Sequence, residues 1–110
     1  MAYRNRVIID TIRTVAFGTI GAAYSAIGTA ATEPTRMVYA FNSSDVSIFI
    51  SDDGVNDKFI IPAGGFILLD LTTNKVRDDG FFHPDHAVWY VKRVADAPAS
   101  GAIYLTLIHA

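Results

Sequence analysis

The feature that most constrains this chain is alternation broken by turns. From Arg36 onward, short runs of β-branched and aromatic residues are separated by Gly, Pro, Asn, Ser and Asp. Successive side chains on a strand point to opposite faces, so a period of two marks a half-buried strand. Met37, Tyr39 and Phe41 alternate with Val38, Ala40 and Asn42. Asn42-Ser43-Ser44-Asp45 then turns the chain, since these side chains bond their own backbone. Val46, Ile48 and Ile50 alternate with Ser47, Phe49 and Ser51, and Asp53-Gly54 follows as a hairpin signal. Residues 58–61 read as a brief strand closed by Pro62-Ala63-Gly64-Gly65. Residues 66–71 are apolar except for Asp70, which predicts a strand buried on both faces. After a long gap over residues 72–86, two more strands flank Ala97-Pro98-Ala99-Ser100-Gly101. Strands at this spacing predict an all-β fold, an antiparallel β-sandwich or small jelly-roll-like barrel. Its expected core includes Ile48, Ile50, Leu68, Trp89, Val91, Leu105 and Leu107.

Residues 1–35 differ, being rich in Ala, Gly and Thr. Residues 11–17 alternate, and residues 22–27 can form a second strand. A helical reading stands beside this for residues 5–28, because Ile8, Ile12 and Val15 fit a 3.6 period. Thr, Gly and β-branched residues weigh toward strand. The chain is therefore read as a single β domain over residues 1–110. Residues 1–35 supply an extended N-terminal arm and first strands, and residues 36–110 the main sandwich. In the arm, Arg4 and Arg6 precede Val7-Ile8-Ile9. A terminus of this kind cannot bury its apolar residues alone, and is expected to lie against a neighbouring subunit.

Composition points the same way. Only 18% of the 110 residues are charged and 51% are hydrophobic, although a small domain has proportionally more surface than a large one. Subunit contacts covering part of that surface would reconcile the two, each burying more than about 1,000 Å². Lys+Arg 9 against Asp+Glu 11 gives a net charge of -2, which argues against a nucleic-acid partner. The absence of Cys removes disulfides, thiolate metal sites and a Cys nucleophile. Residues 15–31 are too interrupted by Gly18, Thr19, Gly21, Ser25, Gly28 and Thr29 to give the unbroken apolar run of a membrane span. Asp10 and Arg13 break the run that a secretory signal needs. The expectation is a soluble chain with no membrane partner and no cleaved signal.

The residues offer little chemistry. His83-Pro84-Asp85-His86 groups metal-ligand types, and His109 could be a third nitrogen, but the spacing matches no standard site. Asp52-Asp53-Gly54-Val55-Asn56-Asp57 has its Gly at the third position and Ala63 at the twelfth, unlike a calcium loop. Ser51, Asp70 and His109 have the types of a nucleophile triad but no nucleophile elbow or oxyanion loop. Gly18-Thr19-Ile20-Gly21 lacks the Lys of a phosphate loop. Tyr24, Tyr39, Trp89, Tyr90 and Tyr104 are read as core or interface aromatics. The chain is expected to be no enzyme, with no catalytic, metal-binding or cofactor-binding residues and no cofactor.

Several motifs together resemble small structural proteins of tailed bacteriophages. They are Ala23-Tyr24-Ser25-Ala26-Ile27-Gly28, Arg36-Met37-Val38, Asn42-Ser43-Ser44-Asp45-Val46 and Ser51-Asp52-Asp53-Gly54-Val55-Asn56-Asp57. Pro62-Ala63-Gly64-Gly65-Phe66, Leu69-Asp70-Leu71, Trp89-Tyr90-Val91-Lys92 and Ala97-Pro98-Ala99-Ser100-Gly101 complete the set. The resemblance implies a β-sandwich virion component repeated by symmetry in a tail, neck or capsid, and assembled in the host cytoplasm. Its partners would be further copies of itself and other virion proteins. The residues expected at such contacts are Arg4, Arg6, Val7, Ile8, Ile9 and Tyr24. The alternative is a carbohydrate- or receptor-binding β-module on a host-facing part of the particle.

Overall fold

In the computed structural model, which describes residues 8–71 and 86–109, the chain is a β-sandwich of two antiparallel sheets. In chain order the strands are β1 (Ile8–Ile9), β2 (Arg13–Ala16), β3 (Ser25–Ala26), β4 (Met37–Asn42), β5 (Ile48–Ser51), β6 (Phe59–Ile61), β7 (Phe66–Asp70), β8 (Tyr90–Arg93) and β9 (Ala102–His109). The first sheet runs β1-β9-β4-β7, with β2 beside β1 along the same edge of β9. The second runs β3-β8-β5-β6.

The alternation in sequence becomes the two sides of each sheet. In the first sheet, Val38 faces Leu107 and Ala40 faces Leu105 across β4 and β9. In the second, Ile48 faces Ile61 and Ile50 faces Val91. All of these are buried, and they meet in one core with Val15, Ile27, Trp89 and Ile103. Six of the seven expected core residues are there. Leu68 is not, being 53% exposed.

That difference corrects the reading of residues 66–71 as a strand buried on both faces. Among the described residues, β7 is the terminal strand of the first sheet, and only its Ile67 and Leu69 side packs on the core. Ile67 and Leu69 pack against the core, while Phe66, Leu68 and Asp70 face outward. An all-apolar run looks the same in sequence whether one or both of its sides are covered.

The N-terminal region contributes strands to both sheets, and no α-helix occurs among the described residues. Expected strand 11–17 shortens to β2, because Phe17–Thr19 tightens into a 3₁₀ turn around Gly18. Expected strand 22–27 shortens to β3, paired with β8. Ile8 and Ile9 pair with His109 and Ile108 of their own chain. A polar joint holds this edge. Asp10 contacts His109 Nε2 at 3.0 Å through one oxygen and Arg13 at 3.3 Å through the other. Arg13 Nε also donates to the Thr29 carbonyl.

Asn42, which the sequence places at both the end of a strand and the start of a turn, ends β4 as a fully buried connector between the sheets. Its amide nitrogen lies 2.8 Å from the carbonyl of Val46, 3.1 Å from that of Ile61 and 3.2 Å from that of Pro62. Its carbonyl oxygen accepts from the amide and hydroxyl of Ser44. Nearby, Gly101 has φ +88°, and a Cβ there would lie 2.2 Å from the Ser43 carbonyl. Only glycine lets β9 start this close to β4.

Candidate interaction face

The antiparallel register determines which residues share the outer side of the first sheet. Met37 sits beside Asp70 and Ile108, Tyr39 beside Leu68 and Thr106, and Phe41 beside Phe66 and Tyr104. Ile9 and Thr14 extend the same side across β9. Ile9 is 67% exposed, Phe66 59% and Tyr39 38%. Tyr39 and Phe66 hold their ring centroids 5.6 Å apart, and Phe41 stacks on Tyr104 at 6.4 Å. Asp70 is the one charged side chain among these residues, at the corner beside Met37. With strands about 4.8 Å apart and about 3.4 Å per residue, four strands give a face of about 400 Å² in projection. The exposed rings and aliphatic side chains lie within that footprint, and contiguous apolar patches on small proteins are often functional.

The outer side of the second sheet is built differently. Lys92 lies 4.8 Å over the Tyr24 ring and 5.6 Å from the Phe49 ring. It also pairs with Asp57 at 3.2 Å, and Asp57 accepts from the Tyr24 hydroxyl. Burial, and then the bond to Asp57, push the Tyr24 hydroxyl pKa upward. The bond from Tyr24 holds the Asp57 carboxyl below its ordinary value. Ile60 is exposed here, beside Phe49, whose ring lies under the Lys92 ammonium.

The β5–β6 connection is the hairpin that Asp53-Gly54 signals. Its loop is long, because Asp53 accepts from Ser51 Oγ and from the amides of Val55 and Asn56. Those bonds hold the Asp53 carboxyl well below the usual range. Its oxygens thus bind the loop's own hydroxyl and amides. The triad types do not converge. Ser51 bonds Asp53, His109 is buried against Asp10, and Asp70 lies on the outer face. His83, Pro84 and Asp85 fall outside the described residues, and His86 is exposed with φ +63°. Among the described residues, no cluster of metal-ligating side chains occurs.

Of the residues expected at contacts, Arg4, Arg6 and Val7 lie outside the described residues. Ile8 and Ile9 are exposed on β1, and Ile9 belongs to the apolar face. Tyr24 belongs to the polar cluster of the second sheet. The structure therefore does not bring Ile9 and Tyr24 to one face. Sequence reasoning missed Phe66 and Leu68 as surface residues. The signal was Asp70: a carboxylate two residues beyond Leu68 shares its side of the strand, and it marks that side as outward.

No protein-family model matches the chain, and none of the curated proteins matches it. Among solved structures, it is similar to one titled "Crystal Structure of SPP1 Dit (gp 19.1) Protein, a Paradigm of Hub Adsorption Apparatus in Gram-positive Infecting Phages". The TM-score is 0.41 and the identity 13%, over 94% of this chain and 49% of that one. The chain thus spans about half the length of that structure. A likeness this low carries no function from one protein to the other.

Proposed function

We propose that this protein is a non-enzymatic structural subunit of a tailed-bacteriophage virion, acting as one β domain that associates with copies of itself and with other virion proteins. The observation that carries the reading is the outer face of the first sheet. It gathers Ile9, Tyr39, Phe66 and Leu68 in the open, and Asp70 is the one charge there among the described residues. Burying a side chain such as Phe or Leu is worth about 1.5–3 kcal/mol, so a face of several such residues favours a partner over water. Among the described residues, it lacks the Lys and Arg that would meet phosphates. The resemblance of the turn and strand motifs to tailed-phage structural proteins supplies the setting: a tail, neck or capsid, assembled in the host cytoplasm. Arg4, Arg6 and Val7 precede the exposed Ile8 and Ile9, and would extend this edge toward a neighbour. A glycan-binding module would draw instead on Tyr24, Asp57 and Lys92, whose polar groups already engage one another.

Sedimentation velocity over a range of concentrations tests the reading. The parent is expected to associate. Tyr39→Lys, at the centre of the face, is expected to weaken that association with its thermal unfolding retained. A parent that stays monomeric at high concentration would sink the proposal.

A further inference from the structure

The edges of the two sheets are not protected alike. In the second sheet, β3 has two residues and β6 has three, and β6 is bracketed by Lys58 and Pro62. Short length, Lys and Pro are means by which sheet edges avoid pairing with other chains. On the first sheet, the edge formed by β1 and β2 is interrupted between Ile9 and Arg13. β7 has none of these devices. It is five residues long, with no Pro, Lys or interruption. Among the described residues it pairs on one side only, with β4.

The phase of its backbone follows from two hydrogen bonds. The Gly65 carbonyl accepts from the Asn42 amide at 2.9 Å, and the Leu71 amide donates to the Arg36 carbonyl at 2.8 Å. Residues along a strand send their backbone groups to alternate sides. Residues 65, 67, 69 and 71 therefore point toward β4, and Phe66 and Leu68 present theirs to the open edge.

We infer that a second copy of this chain pairs with this edge, β7 antiparallel to β7, about a two-fold axis at Ile67. The inference rests on the self-association proposed above and adds its strand and register. About that axis, Phe66 of each copy stands opposite Leu68 of the other. These are the positions whose backbone groups point outward, so the two pairs exchange about four N–H···O bonds. Phe66 and Leu68 also share one face, so the join sets an aromatic ring beside an aliphatic side chain twice, a favourable cross-strand pair. Asp70 then falls opposite Gly64, where a Cβ would meet nothing within 4 Å. A register with Leu68 opposite itself would set Phe66 against Asp70, a ring against a carboxylate. The run Gly64-Gly65-Phe66-Ile67-Leu68-Leu69-Asp70 is thus complementary to itself about Ile67. Pairing makes the two first sheets continuous and doubles the apolar face offered to a further neighbour.

The chain has no cysteine, so introduced thiols read the register directly. Opposed residues in a hydrogen-bonded pair have Cα atoms about 5.5 Å apart, within the range of a disulfide at about 4.4–6.8 Å. Diagonal neighbours, at about 7–8 Å, are outside it. Phe66→Cys and Leu68→Cys proteins, mixed under mild oxidation, are expected to give a disulfide-linked mixed dimer, and neither is expected to cross-link alone. Tyr39→Cys mixed with Leu68→Cys controls for collision. Leu68→Lys, which protects the edge, is expected to abolish cross-linking to the Leu68→Cys protein when added to the Phe66→Cys protein, and to lower association of the otherwise native chain. Self-cross-linking of Leu68→Cys would overturn the register. Absence of a mixed dimer, with the parent still associating, would overturn the edge pairing and leave self-association standing. A monomeric parent would overturn both.

Discussion

The outer sides of the two sheets enclose the same core but meet their surroundings in opposite ways. On the second sheet, Lys92 covers aromatic rings and is paired by Asp57, which Tyr24 also holds. Lys58 likewise pairs with Asp52. That side can face water with its charges matched. On the first sheet, Tyr39, Phe41, Phe66, Leu68 and Tyr104 form a side on which one carboxylate stands at a corner. The difference lies in how the two outer sides are finished: among the described residues, one pairs its charges over its rings and the other leaves rings and aliphatic side chains exposed, which gives a contact a direction.

The largest expected effect separates the two sides of the first sheet. Leu105 is fully buried and Leu68 is half exposed. Leu105→Ala is expected to cost about 2–5 kcal/mol, and Leu68→Ala less than about 1 kcal/mol, measured by urea unfolding of the monomeric protein. Equal costs would mean that the outward side is as well covered as the core, and the comparison would fail.

A smaller effect lies at the polar joint where the N-terminal edge meets β9. Burial raises the Asp10 pKa, but the bond and charge of His109, and then those of Arg13, outweigh it and hold the carboxyl below its ordinary value. A carboxyl lowered in the folded state contributes stability above its unfolded value, about 3.9. That contribution is lost as pH falls through the lower folded value. The parent is therefore expected to lose stability on acidification below about pH 4, and Asp10→Asn to lose less over the same window. Urea midpoints taken at a series of acidic pH values check this. Parallel curves would show that this edge is held by backbone pairing alone.

The smallest effect is expected on the second sheet. Lys92→Ala breaks the pairing with Asp57 and uncovers the Tyr24 ring, yet exposed pairs of this kind contribute little. Its unfolding midpoint should stay within about 4 °C of the parent, with association unchanged. Lost association would move the interface to the side taken here as solvated, and would sharpen the glycan- or receptor-binding alternative.

Much of the architecture was legible before the structure. Alternation marked β4, β5, β8 and β9, and Asp53-Gly54 marked the β5–β6 hairpin, because strand pleat and turn chemistry are local properties. Asn42 shows where local reading stops: its side-chain oxygen accepts from the Ser44 amide as a turn residue's does, but its amide nitrogen also reaches carbonyls far along the chain. Its neighbours Ser43, Ser44 and Asp45 do form a turn, but the decisive partners of Asn42 are carbonyls near residues 46 and 61–62. The N-terminal region was legible only as strand against helix. β2 and β3 are short, and they are strands because β9 and β8 offer them edges.

By itself, the sequence determined the all-β class, most of the core and the shortage of charge, since each follows from side-chain type and period two. Only the tertiary structure decided which side of each strand faces out. Phe66, Leu68 and Asp70 share one side of β7 in any fold. Whether that side is buried depends on whether a second layer covers it, and in this sandwich the covering sheet lies on the other side.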